Sequence, residues 1–344
     1  MTDYIWNDIY IRESLTDKGA VPSVGNSTSP DIICMQNDQI IDPIKQFSAN
    51  YSLDPNRPAI YNQYNFMYIR SKNLGSQNSE GKVYLFWLTA SLLMLPEQWK
   101  QNTMFSNVDG IMQPYNILPK VSENQISVTK VPFIWSPKSL SSNEHYCTVS
   151  AVSTTLHPWD PGRIPEFQSI ESFVLWVRQS ANICSRNITT IYNPLQPDVD
   201  RVDLFSNPFS DPVPLLVQVK CNNIPVGTSV TIICKPLGVD LTKVTTSKTE
   251  VIFSSGVTCP EYFNGYIETR VTRNREEKWP DDADITTTVY MGVSAQSKVA
   301  KYAQDFELYD NHPSVLQTKQ LADKNNGALV AVGACTTNFK QDIV

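Results

Sequence analysis

Apolar residues recur at every second position through most of this chain, and the runs are bounded by Pro, Gly, Asn and Ser. Period two puts alternate side chains on opposite faces of an extended backbone, so the pattern predicts strands between turns. In the first half such runs cover Tyr4 to Arg12, Asp31 to Met35, Phe66 to Asn73, Lys82 to Thr89, Gln125 to Trp135, His145 to Thr155 and Cys184 to Tyr192. Within Lys82 to Thr89, Val83, Leu85 and Trp87 share one face and Tyr84, Phe86 and Leu88 the other. A strand apolar on both faces belongs between two layers. One segment changes period: Ile170, Phe173, Val174 and Val177 recur at helical spacing, which predicts a short amphipathic helix near 168–179.

Strand runs resume at Val213 to Cys221, Ser229 to Lys235, Thr249 to Phe253, Gly265 to Arg273, Ile285 to Val293 and Ala328 to Thr336, while Lys298 to Leu308 fits strand and helix alike. At 344 residues the chain is long enough for two domains. Five prolines, at 194, 197, 208, 212 and 214, disfavour paired backbone, which places the boundary in that stretch. The expected fold is therefore all-β, with two antiparallel β-sandwich domains at 1–197 and 198–344 and one short helix.

Composition narrows the partners. Lys and Arg total 28 against 34 for Asp and Glu, a net charge of −6 that offers no overall attraction to nucleic acid. No apolar run reaches the ~20 residues of a membrane span. Charged residues make up only 18%, so the polar surface comes from Asn, Gln, Ser, Thr and Tyr, with little like-charge repulsion to keep molecules apart. The sequence starts without a basic segment followed by an apolar one, hence without a Sec signal; the expectation is cytoplasmic synthesis, with any release to the surface or exterior by a non-Sec route. Seven cysteines, an odd number spread singly, do not form a dense disulfide framework.

Several separated motifs occur in order: Asp8 to Arg12, Asp17 with Gly19, Ser29 to Ile32, Asn65 to Arg70 with Lys72 to Gly75, Val83 to Trp87, Trp135 to Pro137 and His145 to Cys147. Over residues 6 to 190 this order resembles a unit of bacterial multidomain proteins, the immunoglobulin-like sandwich of the cell-adhesion-related (CARDB-like) type, whose C-terminal end the helix and Cys184 to Asn187 also resemble. The resemblance implies an immunoglobulin-like first domain and a surface, adhesive or assembly role, and it implies no catalytic residue. The second half resembles no named family.

Chemistry-bearing groupings are sparse. His145 and Cys147 fall on one strand face, but residues two apart on a strand are ~6.6 Å apart along the chain, and a core position accounts for both. Asp281, Asp282 and Asp284 after Trp279 and Pro280 are weak candidates for calcium, lacking the glycine and terminal glutamate of an EF-hand loop. The three histidines show no zinc-ligand spacing, and no phosphate loop or hydrolase elbow is present, so no cofactor and no enzymatic activity are expected. Trp159, in a turn-rich His-Pro-Trp-Asp-Pro-Gly loop, is the expected exposed contact residue. The termini supply Tyr4 and Trp6, and Phe339 and Ile343, as strand residues able to pair with a neighbour's sheet edge. The expected function is a structural or interaction protein that associates with itself or with a protein or glycan surface through edges, loops and termini. The alternative is a secreted toxin or carbohydrate-binding module using exposed aromatics.

Overall fold

A computed structural model describes residues 4–23, 28–60, 62–89, 92–138, 146–188, 198–253, 256–274, 276–280, 283–300 and 327–338. In chain order the first half holds β1 Tyr4–Ile5, β2 Ile9–Tyr10, β3 Ala20–Val21, β4 Ile32–Cys34, α1 Pro43–Ala49, β5 Asn65–Asn73, β6 Ser79–Thr89, α2 Pro96–Trp99, β7 Phe105–Val108, β8 Ile111–Gln113, β9 Asn116–Val121, β10 Ile126–Val128, β11 Phe133–Trp135, β12 Tyr146–Thr154, α3 Ile170–Arg178 and β13 Ile183–Ile188. The second half holds β14 Asp198–Asn207, β15 Val213–Asn222, β16 Ser229–Cys234, β17 Val239–Val244, β18 Glu250–Phe253, β19 Val257–Cys259, β20 Phe263–Thr272, β21 Asp284–Val293 and β22 Ala328–Asn338. The fold is all-β, and its strand pairings among the described residues are antiparallel.

Two sheets make the first sandwich. One runs β10-β5-β11-β7-β8, with β2 and β4 also on β5; the other runs β13-β12-β6-β9. Ile9, Ile32, Met67, Ile69 and Phe133 from the first sheet meet Val83, Leu85, Val152 and Cys184 from the second. The expectation for β6 holds: its other face carries Phe86 and Leu88 into a separate cluster with Trp99, Val149 and Trp159. A sheet covered on both sides needs a third layer, and α2, the Trp159 loop and α3 provide it.

The second sandwich pairs β14-β20-β16-β17 with β18-β15-β21-β22, β19 lying beside β15. Its first strand occupies the proline-rich stretch in which the boundary, and no paired backbone, is expected. Pro197 and Pro208 bracket β14, whose ten residues contain no proline and pair with β20 from end to end. The prolines flank the run 198–207 without entering it, so its backbone N–H groups remain able to pair. From residue 301 the Lys298 to Leu308 stretch lies outside the described residues.

Helix α3 forms where its periodicity places it. Ser169 caps it, accepting from the Ser172 backbone N–H while the Ser172 hydroxyl accepts from the Ser169 N–H, and Ile170, Phe173 and Val174 are buried. Those side chains join the core of the second sandwich, as do Leu92, Leu93 and Leu95, alongside Val217, Val289 and Val330. Burying each such residue is worth roughly 1.5–3 kcal/mol. Hydrogen bonds follow the same route: Leu92 N–H to Leu204 O at 2.8 Å, Asn187 Nδ2 to Ala334 O at 2.9 Å, and Ser297 Oγ to Glu171 Oε1 at 2.7 Å. The sheets divide between the halves, but one apolar core crosses the division.

Candidate functional site

Strands β7 and β8 form a hairpin at the end of the first sheet. Their pairing of Val108 with Ile111 leaves a two-residue loop, Asp109 and Gly110, with φ of 51° and 83°. Two left-handed residues in a two-residue loop match the twist of the flanking strands, and Asp-Gly supplies them at low cost. Nothing lies within 4 Å of where a Cβ on Gly110 would sit, so the glycine answers to backbone conformation and not to crowding.

Among the described residues β8 pairs only with β7, so its outer N–H and C=O groups face away from the sheet. The strand reads Ile-Met-Gln, and Ile111 and Met112 are 62% and 52% exposed. Asn107 faces Met112 across the hairpin, and Phe105, on the same face of β7, is 45% exposed. By contrast β17, at the edge of the second sandwich, carries Asp240 and Lys243. Charges on an edge oppose pairing with another chain, and β8 has none.

The residues expected to make contacts lie elsewhere. Trp159 is buried, its ring centroid 5.3 Å from that of Tyr84 and 6.0 Å from that of Phe86 on β6, and its backbone N–H bonds to Ser153 Oγ. Trp6 is also buried: it stacks on His157 at 4.1 Å and donates Nε1–H to Ile9 O. Tyr4 is half-exposed, but its strand already pairs with β3 of the same molecule, Tyr4 opposite Val21. Phe339 and Ile343 lie outside the described residues, as do Asp281, Asp282 and His145. Asp284 opens β21 and accepts from Asn222 Nδ2 at 2.8 Å, and burial pushes its pKa up. Cys147 is fully buried and donates its thiol to Asn187 Oδ1 at 3.0 Å. All seven cysteines are buried thiols, and burial raises Cys34 to about 11 and Cys259 to about 12, far from a reactive thiolate. Among the described residues no group of three or more His, Cys, Asp or Glu is arranged to hold a metal, and no helix is long and apolar enough to cross a membrane.

The motif residues of the first half have structural work. Asp31 accepts from Arg12 N–H and Nε at 3.0 Å and Nη2 at 2.7 Å, and from Arg70 Nε at 2.8 Å. The remaining donors of Arg70 reach the carbonyls of Phe47, Asn50, Pro30 and Leu53, so one fully buried guanidinium holds α1 and the loop after it against β5. The Tyr51 ring lies 3.5 Å from the Arg12 guanidinium, and burial together with nearby Asp31 keeps its phenol protonated. Asn65 bonds to the backbone of Ile60 in both directions, and Asn73 Oδ1 receives the Gly75 N–H. The hairpin, not these motifs, is the surface feature that the sequence reading missed. The Asp109-Gly110 dipeptide was its signal.

No family model matches the chain, and no curated protein matches it. Among solved structures, a vicilin from Solanum melongena aligns at 7% identity over 78% of this chain and 88% of that one, with a TM-score of 0.13, too low to carry any argument.

Proposed function

We propose that this is a non-enzymatic interaction protein that associates with a second copy of itself through the open edge of the first sandwich. The observation that carries the reading is the uncharged β8 edge, with Ile111, Met112 and Phe105 presented to solvent. Two β8 strands meeting antiparallel across a two-fold axis would join the sheets of two molecules, each edge supplying donors where the other supplies acceptors. Paired about Met112, the two methionine side chains would face each other on one side of the joined sheet and lose water in the same step, while Ile111 lies on the other side. Lysine at both apolar positions (Ile111→Lys with Met112→Lys) places like charges against each other across the axis.

Light scattering over a concentration series measures the outcome. The unaltered chain is expected to rise from monomer towards dimer mass, and the doubly substituted chain to need at least about tenfold more protein for the same rise. A chain that stays monomeric throughout, or a substituted chain that dimerises as before, overturns the reading.

A further inference from the structure

Where the two sandwiches meet, α3, β12, β13 and the Met94–Trp99 segment face β22 across a partly enclosed cavity of about 100 Å³. The two walls differ in size. Strand β22 contributes Ala331, Gly333 and Ala334, and a bulge opposite Val289 and Tyr290 leaves Val332 outside the pairing register. That wall is held close to its neighbours, since a Cβ on Gly333 would collide with the Leu92 carbonyl oxygen. The opposite wall carries Trp99, Phe173 and Trp176.

These rings are fixed. Trp99 donates Nε1–H to Met94 O at 2.9 Å and packs 4.8 Å from Phe86, while Phe173 and Trp176 both pack on Phe167. Held rings facing small residues across a fixed spacing leave a space that rotamer changes do not fill. The Arg178 guanidinium at the cavity donates to Ser23 O at 2.8 Å and Ala331 O at 3.1 Å, and Glu13 and Ser185 also reach the lining; the rest of it is mostly ring faces and aliphatic side chains. Water needs two to four polar partners to settle in such a space, whereas an apolar molecule regains dispersion contacts on every side. An engineered apolar cavity of roughly 150 Å³ holds benzene. This one is smaller, and its open side leaves room for part of a ligand to protrude.

We propose that this cavity binds a small neutral aromatic molecule of a single ring, inserted between α3 and β22. The assignment is independent of self-association, because β8 lies in another sheet. Toluene is the probe, titrated into the full-length chain by ligand-observed NMR and thermal melting. Saturable one-to-one binding is expected, with a melting temperature that climbs with the logarithm of toluene concentration. Hydrogen-exchange protection on binding should concentrate in α3 and β22. Ala334→Leu and, from the facing wall, Val149→Phe each occupy the space and should weaken toluene binding at least about tenfold while melting cooperatively. Absence of saturable binding, protection gained outside α3 and β22, or undiminished binding in a folded filled variant overturns the proposal. If neither variant folds, the exchange map on the unaltered chain decides.

Discussion

Each sandwich buries an Arg–Asp pair, but the two pairs bind different parts of the structure together. In the first, Asp31 and Arg70 join β5 to the irregular segment that covers its outer face, and four backbone carbonyls complete the guanidinium. In the second, Arg201 on β14 pairs with Asp203 at 2.8 Å and also reaches Ile285 O, Thr287 Oγ1 and Thr337 Oγ1 on the facing sheet. One pair holds a loop on a sheet; the other ties two sheets across their core. Buried ions carry a large desolvation penalty, tolerated only where the geometry satisfies both partners, so what each charge is attached to decides what its removal does.

The largest effect should come from Asp31→Ala. It leaves two guanidinium groups buried with no carboxylate between them, and breaking a buried pair this way typically costs ~3–5 kcal/mol. Urea denaturation measures the loss, and hydrogen exchange should show α1 and residues 50–58 opening first. A uniform loosening of both sandwiches would show that the two pairs do not hold different parts of the structure.

Replacing the second pair whole, as Arg201→Met with Asp203→Leu, should change stability little, because the backbone carbonyl that loses its donor, Ile285 O, is held at only 3.4 Å and the Thr287 hydroxyl keeps its contact with Thr269 at 3.1 Å. The same exchange at Arg70 and Asp31 should destabilise, since four carbonyls would lose their donor. Equal outcomes at the two sites, again by urea denaturation, would show that their surroundings do not matter.

A third test addresses the junction. Gly333→Ala puts a methyl group where the Leu92 carbonyl lies, so β22 or the Leu92 segment must move, at ~1–3 kcal/mol or more. Calorimetry should show both sandwiches losing stability together, since Leu92 and α3 belong to the core of the second sandwich. Two separate melting transitions, only one of them shifted, would mean that the halves are coupled less tightly than their contacts indicate.

Strand positions with strict alternation could be read from the sequence, and so could α3, because one buried face leaves a periodic trace that does not depend on the partner. The rest depended on tertiary context. Helix α1 has only seven residues, too few for a periodic signal, and it stays folded because Asp42 caps it and Arg70 grips the carbonyls of Phe47 and Asn50. Strand β14 was masked by the prolines at its ends. Trp159 shows the limit for sites: a turn-rich loop indicates where the backbone bends, while the indole packs on Tyr84 and Phe86 of β6, far away in sequence. The β8 edge had the same difficulty, as exposure of Ile111 and Met112 depends on what does not pack beside them.

The smallest expected effect is a pH dependence confined to the N-terminal edge of the first sandwich. His157 stacks on Trp6 and its Nε2 lies 3.1 Å from Asn7 Oδ1, so its ring helps to hold the segment that carries β1. Burial lowers its pKa from the ordinary 6.5, although the nearby Asp8 carboxylate, held by Ser79 and Thr154, pulls the other way. A folded-state pKa below the unfolded value means that folding favours the neutral ring. Its contribution is therefore fully present above pH 6.5 and is lost as the pH falls through the lower folded value. The ring is partly exposed, so solvent screening keeps the effect below about 1 kcal/mol. Hydrogen exchange at residues 4–10, compared between pH 7.5 and 5.5 after correction for intrinsic rates, should show lost protection at the lower pH. His157→Phe keeps an aromatic ring against Trp6 without a titrating group, and should remove the pH dependence at those residues. An equal loss of protection in that variant would assign the effect to another group. Protection that does not change in the unaltered chain would show that the ring's charge does not reach β1.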